Sequence, residues 1–239
     1  MPSAAGLLNR SRLVLFDIDG TLLRNGNGVH GRAIVTACEE LTGHDIASHF
    51  AEISPGGRTD RYIVGELLRL SGLEQVEADA LFDAIADRSV QLTGAGLTEP
   101  NPTWVLPGSH ALLSELMARG VAFGLVTGNL PKIAELKLRC AQIWEPFALQ
   151  DPLITGFGDI SEDRNDLSRA ALDQARSHLA SDIDGAHVVI VGDTPRDIEC
   201  AHAIGASCLA VATGRFSHDE LRAAGATHVV NSLEEAVSA

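Results

Sequence analysis

Two carboxylates, Asp17 and Asp19, stand either side of Ile18 directly after the apolar run Leu13–Phe16, and Gly20 and Thr21 follow them. A short β-leaning apolar run of this kind forms a buried parallel strand. Side chains at i and i+2 of an extended chain point the same way, so the two acids share one side of the strand end. Held that close they repel each other unless a cation or a shared proton compensates. Mg²⁺ suits the site, because it takes hard oxygen ligands, often one or two carboxylates plus substrate phosphates. The plain alternative, a strand that ends in an acidic turn, leaves buried carboxylates without partners, which is costly.

Three further groups have chemistry-bearing types at telling positions. Thr127, Gly128 and Asn129 end a second apolar run, and Pro131 opens a helix behind them. The Thr127 hydroxyl and the backbone N–H groups of Gly128 and Asn129 can meet an anion at that helix N-terminus. An ordinary capped turn has the same composition. A third apolar run ends in Gly192-Asp193, followed by Pro195 and Asp197. Asp193 is positioned as a metal ligand. Asp197, one turn along the new helix, either supports waters on the metal or complements the helix dipole. Arg164, at the start of another helix, presents a charged fork to a phosphate or stays on the surface. In the glycine-rich turn Ser54–Asp60, Arg58 meets a carboxylate or second phosphate of a substrate, or is a surface residue beside Thr59 as helix N-cap. The nine histidines are scattered without an HxxxH pair and read as structural or surface residues.

The elements that must position these groups follow from the hydrophobic pattern. Leu13–Phe16, Val121–Val126, Val188–Val191, Cys208–Val211 and His228–Val230 read as strands, with a weaker one near Phe147–Leu149. Ser109–Arg119, Pro131–Cys140, Arg164–Leu179, Pro195–Ile204 and His218–Ala224 read as helices. The alternation predicts an α/β fold, a Rossmann-like parallel sheet with helices on both faces. Ligands of such sheets bind outside the carboxyl ends of the strands, where every motif above falls. Residues 24–104 break the alternation: Gly31–Leu41, Thr59–Leu70 and Ala78–Leu92 look helical, and Leu97–Trp104 is a Pro-rich return linker. The expected organisation is a core of 1–23 and 105–239 with an inserted all-helical domain at 24–104, hinged near Leu22–Asn27 and Pro102–Leu106.

Composition narrows the partners. The 239 residues carry a formal net charge of −14, which argues against nucleic acid and anionic membranes. An anionic small molecule remains compatible, since a metal ion or a helix N-terminus makes one site locally positive. Lys132 and Lys137 are the two lysines, so most of the positive charge is arginine. Cys38, Cys140, Cys200 and Cys208 form no CxxC pair and read as reduced thiols of a cytoplasmic protein. No secretory signal and no membrane span is expected. The sequence is compatible with a monomer or a homodimer.

Taken together, Asp17-Ile-Asp19-Gly-Thr21, Thr127-Gly-Asn129, Arg164 and Gly192-Asp193-Thr-Pro-Arg-Asp197 resemble the haloacid dehalogenase-like (HAD) hydrolase superfamily, and within it the phosphoglycolate-phosphatase-like branch. The resemblance runs over almost the whole chain from Leu13 and includes a helical cap after the first motif. It implies Asp17 as a nucleophile forming an aspartyl-phosphate, Asp19 as general acid/base, and Thr127 as a hydrogen-bond partner of the transferring phosphoryl group. It implies Mg²⁺ held by the Asp17 carboxylate, the Asp19 carbonyl and Asp193, with Asp197 supporting the metal shell. One departure stands out. The family usually has a lysine in the third motif, and here Arg164 is the best substitute, while Lys137 is expected to pack or pair on its helix surface.

The function that the resemblance implies is Mg²⁺-dependent hydrolysis of a small phosphorylated metabolite, phosphoglycolate or a similar phosphomonoester. An acid at position 19 favours phosphate-ester chemistry over the dehalogenase and phosphonatase branches. The rival readings are a phosphomutase of β-phosphoglucomutase type, a pyrophosphatase, and a non-catalytic binding protein on the same scaffold. The presence of Asp17, Asp19 and Asp193 together weighs against the last.

Overall fold

The computed structural model describes residues 3–24 and 28–237. The strands are β1 (Leu13–Phe16), β2 (Ala122–Val126), β3 (Thr155–Gly156), β4 (Val188–Gly192), β5 (Ser207–Val211) and β6 (His228–Val230). They form one parallel sheet in the order β3-β2-β1-β4-β5-β6. Helices α1 (Ala4–Leu8), α2 (Val29–Thr42), α3 (Asp60–Leu70), α4 (Gln75–Gly96), α5 (Ser109–Ala118), α6 (Pro131–Cys140), α7 (Glu145–Ala148), α8 (Arg164–His178), α9 (Pro195–Ala203), α10 (His218–Ala223) and α11 (Glu234–Val237) complete the chain.

The strands are short and buried on both sides, as apolar runs in a parallel sheet must be. Their side chains alternate between two cores. Val14, Phe16, Phe123, Leu125, Val189 and Val191 enter one, and Leu13, Leu15, Val126, Val188 and Ile190 enter the other. In the first core Phe16, Phe123 and Phe147 meet edge to face, with ring centroids 5.4–6.4 Å apart. Such pairs contribute about 0.5–1.5 kcal/mol each beyond burial.

β1 lies between β2 and β4, so the chain leaves β1 in one direction and returns to its other side. The crevice at such a reversal is where an open α/β sheet binds ligands. The register puts Phe16 opposite Leu125 and Val191, so Asp17, Thr127 and Asp193 emerge within a residue or two of one another along three neighbouring strand ends.

Helices α2, α3 and α4 fill the segment between β1 and α5, and pack mainly on one another. Their shared core includes Ile34, Ala37, Leu67, Phe82 and Ile85, and Leu130 and Ile133 at the start of α6 join it. The two connections run side by side: Leu106 N–H donates to the Leu22 carbonyl at 2.9 Å and Arg24 N–H to the Trp104 carbonyl at 2.7 Å. Of the expected hinge near Leu22–Asn27, residues 25–27 lie outside the described residues.

One expected strand is absent. Phe147–Leu149 lies in and just after helix α7, opened by Pro146 as a first-turn residue, and the edge strand is Thr155–Gly156 instead. A short apolar run cannot by itself distinguish a strand from a buried helical turn, and Phe147 is fully buried as a helix residue.

Candidate active site

The first carboxylate is held in place by backbone. Asp17 N–H continues the ladder by donating to the Val191 carbonyl at 2.9 Å. The chain then turns sharply, with Gly20 N–H donating to the Leu23 carbonyl at 2.7 Å. Gly20 has φ of +92°, and a Cβ there would overlap the Asp193 carboxylate. Only glycine meets both demands without strain.

Arg164, first residue of α8, is buried at 6% exposure rather than solvated. Its Nη2 donates to Asp17 Oδ1 at 2.7 Å and to Asp197 Oδ1 at 2.6 Å. The same nitrogen lies 3.3 Å from the Val126 carbonyl, and Nη1 reaches the Gly57 carbonyl at 3.2 Å. One guanidinium thus joins β1, β2, α9 and the inserted helical segment. The expectation of a base from the start of this helix is met, but its observed partners are carboxylates.

Asp197 sits among these groups with partners of its own. Its Oδ1 accepts from Arg164, and its Oδ2 accepts from Thr194 N–H at 2.9 Å and Thr194 Oγ1 at 2.7 Å. Asp197 lies within metal-binding reach of Asp17 and Asp193, one oxygen of each falling within 4.8 Å of the others. Both its oxygens also accept hydrogen bonds, so Asp197 orients Arg164 and closes the cap of α9 beside the expected metal position. Asp193 hydrogen-bonds Thr21 Oγ1 at 3.3 Å and, among the described residues, has no basic partner.

Lys137 departs from the expectation. It does not pack on the helix surface. Its Nζ donates to Asp19 Oδ2 at 2.6 Å and to Asn129 Oδ1 at 2.7 Å. Asn129 Nδ2 in turn donates to Asp19 Oδ2 and to Thr127 Oγ1, both at 2.8 Å. The side chain of Asn129, rather than its backbone N–H alone, therefore ties the second motif to the first. Two turns into a helix that opens at a strand end, a lysine returns over that end, which was the signal available for Lys137.

These surroundings split the acids electrostatically. Burial pushes the Asp17 carboxyl well up, and the charge of Asp197 adds to this against the pull of Arg164. Burial also pushes Asp193 up, helped by Asp197 and Asp17. Burial acts in the same sense on Asp19, but the charge and hydrogen bond of Lys137 and the Asn129 amide overcome it and hold that carboxyl below its usual range. Among the described residues, the four acids Asp17, Asp19, Asp193 and Asp197 have two bases as their ion-pair partners, Arg164 and Lys137. The excess of two negative charges, with oxygen donors on Asp17 and Asp193, fits a divalent hard cation.

A cavity of about 250 Å³ lies over these groups, lined by Asp17, Asp19, Thr127, Arg164 and Asp193 on one side and by His30, Arg58 and Asp60 on the other. The turn before α3 closes it. Asp60 N–H donates to the Gly128 carbonyl at 2.7 Å, and Asp60 Oδ2 accepts from Leu130 N–H at 2.7 Å, capping α6 from outside. Thr59 is the N-cap of α3, as expected. Arg58 is part-buried at the cavity, not a surface residue. His30 was not singled out by the sequence, yet its Nε2 is 3.1 Å from Asp60 Oδ2 in the cavity wall.

A family model described as HAD-hydrolase-like matches residues 164–236. The chain is 26% identical over 227 residues to a protein named probable phosphatase IndB of Dickeya dadantii, covering 95% of this chain and 92% of that one. It is 27% identical over 224 residues to a phosphoglycolate phosphatase of Rhodospirillum rubrum, covering 93% and 88%. Residues 164–236 thus match a HAD-like hydrolase family, and nearly the whole chain is similar to proteins named phosphatases. Its fold is shared with a β-phosphoglucomutase of Clostridium difficile, at a TM-score of 0.67 and 17% identity over 94% of this chain and 92% of that one. The HAD-like chain is an enzyme of the hydrolase type, with a buried acidic cluster at its strand ends. Among the described residues no helix is long and apolar enough to cross a membrane.

Proposed function

We propose that this HAD-like protein is a Mg²⁺-dependent phosphatase of a small, phosphoglycolate-like phosphomonoester, working through an aspartyl-phosphate on Asp17. The observation that carries the reading is Arg164 buried between Asp17 and Asp197 while Asp193, close by, lacks a basic partner. A base is supplied for all but the charge that a divalent ion would meet.

Asp17 and Asp193, with the Asp19 carbonyl, would hold the ion. Bound there, the ion would offset the repulsion between an anionic nucleophile and a phosphate. Arg164 orients the Asp17 carboxylate through Oδ1; one oxygen of that carboxylate would attack phosphorus as the ester P–O bond breaks, and the other would face the ion. Thr127, and the N–H groups of Gly128 and Asn129, stand where the transferring oxygens gain charge. Asp19 gives a proton to the leaving oxygen. In the second step it takes one from water, whose oxygen attacks phosphorus and releases Asp17. Its pairing with Lys137 favours the ionised form that the second step needs.

Residues 24–104 act in this reading as a cap, with core 1–23 and 105–239, and the turn at Arg58–Asp60 latches it over the site. Closure sheds water and orients the ester. The four buried thiols fit a reducing, cytoplasmic setting. The closed latch also suits a second reading, a β-phosphoglucomutase-type exchange, because a phosphoenzyme shielded from water can return its group to a sugar.

The test is phosphate release from a panel of phosphomonoesters with Mg²⁺, beside EDTA and an Asp17→Asn variant. Release lost in both controls is expected. Isomerised sugar phosphate without net release would favour the mutase, and release that persists in Asp17→Asn would overturn the assignment.

A further inference from the structure

The site also contains positive charge that the phosphatase reading leaves unused. The chain carries 32 acidic and 18 basic residues, yet Arg24, Arg58, Arg164 and Arg215 all line the cavity. Arg164 is neutralised by Asp17 and Asp197. Arg58 and Arg215 form no ion pair among the described residues.

Each guanidinium instead lies over a ring. The Arg58 guanidinium carbon lies 4.1 Å from the centroid of Tyr62, and that of Arg215 lies 4.9 Å from the centroid of Phe216. Stacking fixes the plane of a guanidinium and leaves its N–H edge for an anion. Arg58 Nε is fully buried and has no hydrogen-bond partner. An orphaned, buried charged donor costs free energy unless a ligand meets it.

The two arginines come from opposite sides. Arg58 is on the cap turn, and Arg215 follows β5 in the core. The cap turn reaches the core arginine at Gly56, two residues before Arg58: a Cβ there would lie 3.7 Å from Cζ and Nη1 of Arg215. Arg196 closes the group by donating from Nη1 to the Gly56 carbonyl at 3.0 Å. Burial lowers the Arg196 guanidinium, and the charges of Arg58, Arg164 and Arg215 lower it further. The cap turn therefore sets Arg58 near the like charges of the core arginines.

We infer that Arg58 and Arg215 form a two-sided clamp for a second anionic group on the substrate, so that the enzyme selects esters carrying a carboxylate or second phosphate near the transferred phosphoryl group. This rests on the phosphatase reading. Arg215 is the specificity-determining residue on the core side, and the second anion offsets the repulsion among these like charges. An ester charged on its phosphate alone lacks that anion and closes the cap less well.

The experiment compares kcat/KM for 2-phosphoglycolate, a short alkyl bisphosphate and 2-hydroxyethyl phosphate, in the wild type and in Arg215→Gln and Arg215→Lys. The wild type should favour the two esters with a second anionic group over 2-hydroxyethyl phosphate, whose charge is on its phosphate alone. Arg215→Gln should reduce that preference by about tenfold or more, since hydrogen bonds to charged groups are the strong ones, and Arg215→Lys should restore part of it. The two esters with a second anionic group distinguish carboxylate from phosphate as the group held. A preference that Arg215→Gln leaves unchanged, with all rates falling together, would overturn the clamp. If no ester is hydrolysed, the phosphatase reading fails by itself, and calorimetric binding of the same esters to Asp17→Asn with and without Arg215→Gln decides. Tighter binding of those two esters that is lost without Arg215 keeps the clamp, whereas equal binding or none overturns it.

Discussion

Lys137 Nζ donates to Oδ2 of Asp19 at 2.6 Å, although the two residues come from different elements, β1's exit turn and α6. The pair is partly buried, with the lysine side chain 11% and the aspartate side chain 31% exposed. The lysine keeps Asp19 ionised where burial alone would protonate it. Replacing Lys137 by Met removes that charge and leaves Asn129 as partner, so the Asp19 carboxyl rises. A group required as a base is then protonated over a wider acidic range. The acidic limb of kcat/KM against pH should move to higher pH, and kcat near neutrality should fall by about 10²-fold. An acidic limb that stays in place would show that Asp19 is not the titrating base.

Arg164 is a structural as well as a chemical residue. Two buried carboxylates depend on one of its nitrogens. Removing one partner of a buried charge pair leaves an uncompensated charge and costs about 3–5 kcal/mol. Arg164→Ala should lower unfolding free energy by about that amount in urea titrations. Arg164→Ala with Asp197→Asn should recover part of the loss, because one stranded charge is then gone. Equal destabilisation by the single and double variants would show that the pair is not coupled.

The pH dependence of metal-free stability follows from Asp17. Its folded-state carboxyl is raised to about 7, by burial first and by Asp197 next. Between the usual carboxylate range and that value the folded protein keeps a proton that the unfolded chain has lost. Stability therefore falls as pH rises through this window. A bound cation favours the ionised carboxylates and reverses the loss. The Tm gain from Mg²⁺ over EDTA should accordingly be larger at about pH 8 than at about pH 5. A gain independent of pH would place the ion away from Asp17.

How much of this was legible in the sequence differs from residue to residue. β1, β6 and α6 have the bounds read from the pattern, because apolar runs ending in polar turns leave little choice of register. Asp17, Asp19 and Asp193 were legible because their strands end where the acids begin. The aromatic Phe147 was misread, since its partners, Phe16 and Phe123, lie far away in the chain. Lys137 was expected on a surface because helix periodicity gives a face but not what that face meets. Asp197 was legible through its spacing from Asp193, while its partners Arg164 and Thr194 are a tertiary fact. His30 and Arg215 carry no motif and became visible only when the cavity joined their elements.

The last prediction concerns Gly128, where β2's exit meets the turn before α3, the edge of the proposed cap. Its carbonyl accepts from Asp60 N–H, and a Cβ on it would overlap the Arg58 carbonyl. The neighbour is backbone and cannot rotate away, so Gly128→Ala must push the Arg58–Asp60 turn outward. That displacement breaks the latch on Gly128 and moves the cap groups by an ångström or so, while the sheet and its two cores keep their contacts. Because misplacement of about 1 Å at a reacting centre can cost about 10²-fold in rate, activity should fall by about that factor while Tm changes by only a few degrees. The check is kcat/KM beside a thermal melt. A large Tm drop with the activity per folded molecule retained would show that Gly128 serves the core and not the closure of the cap.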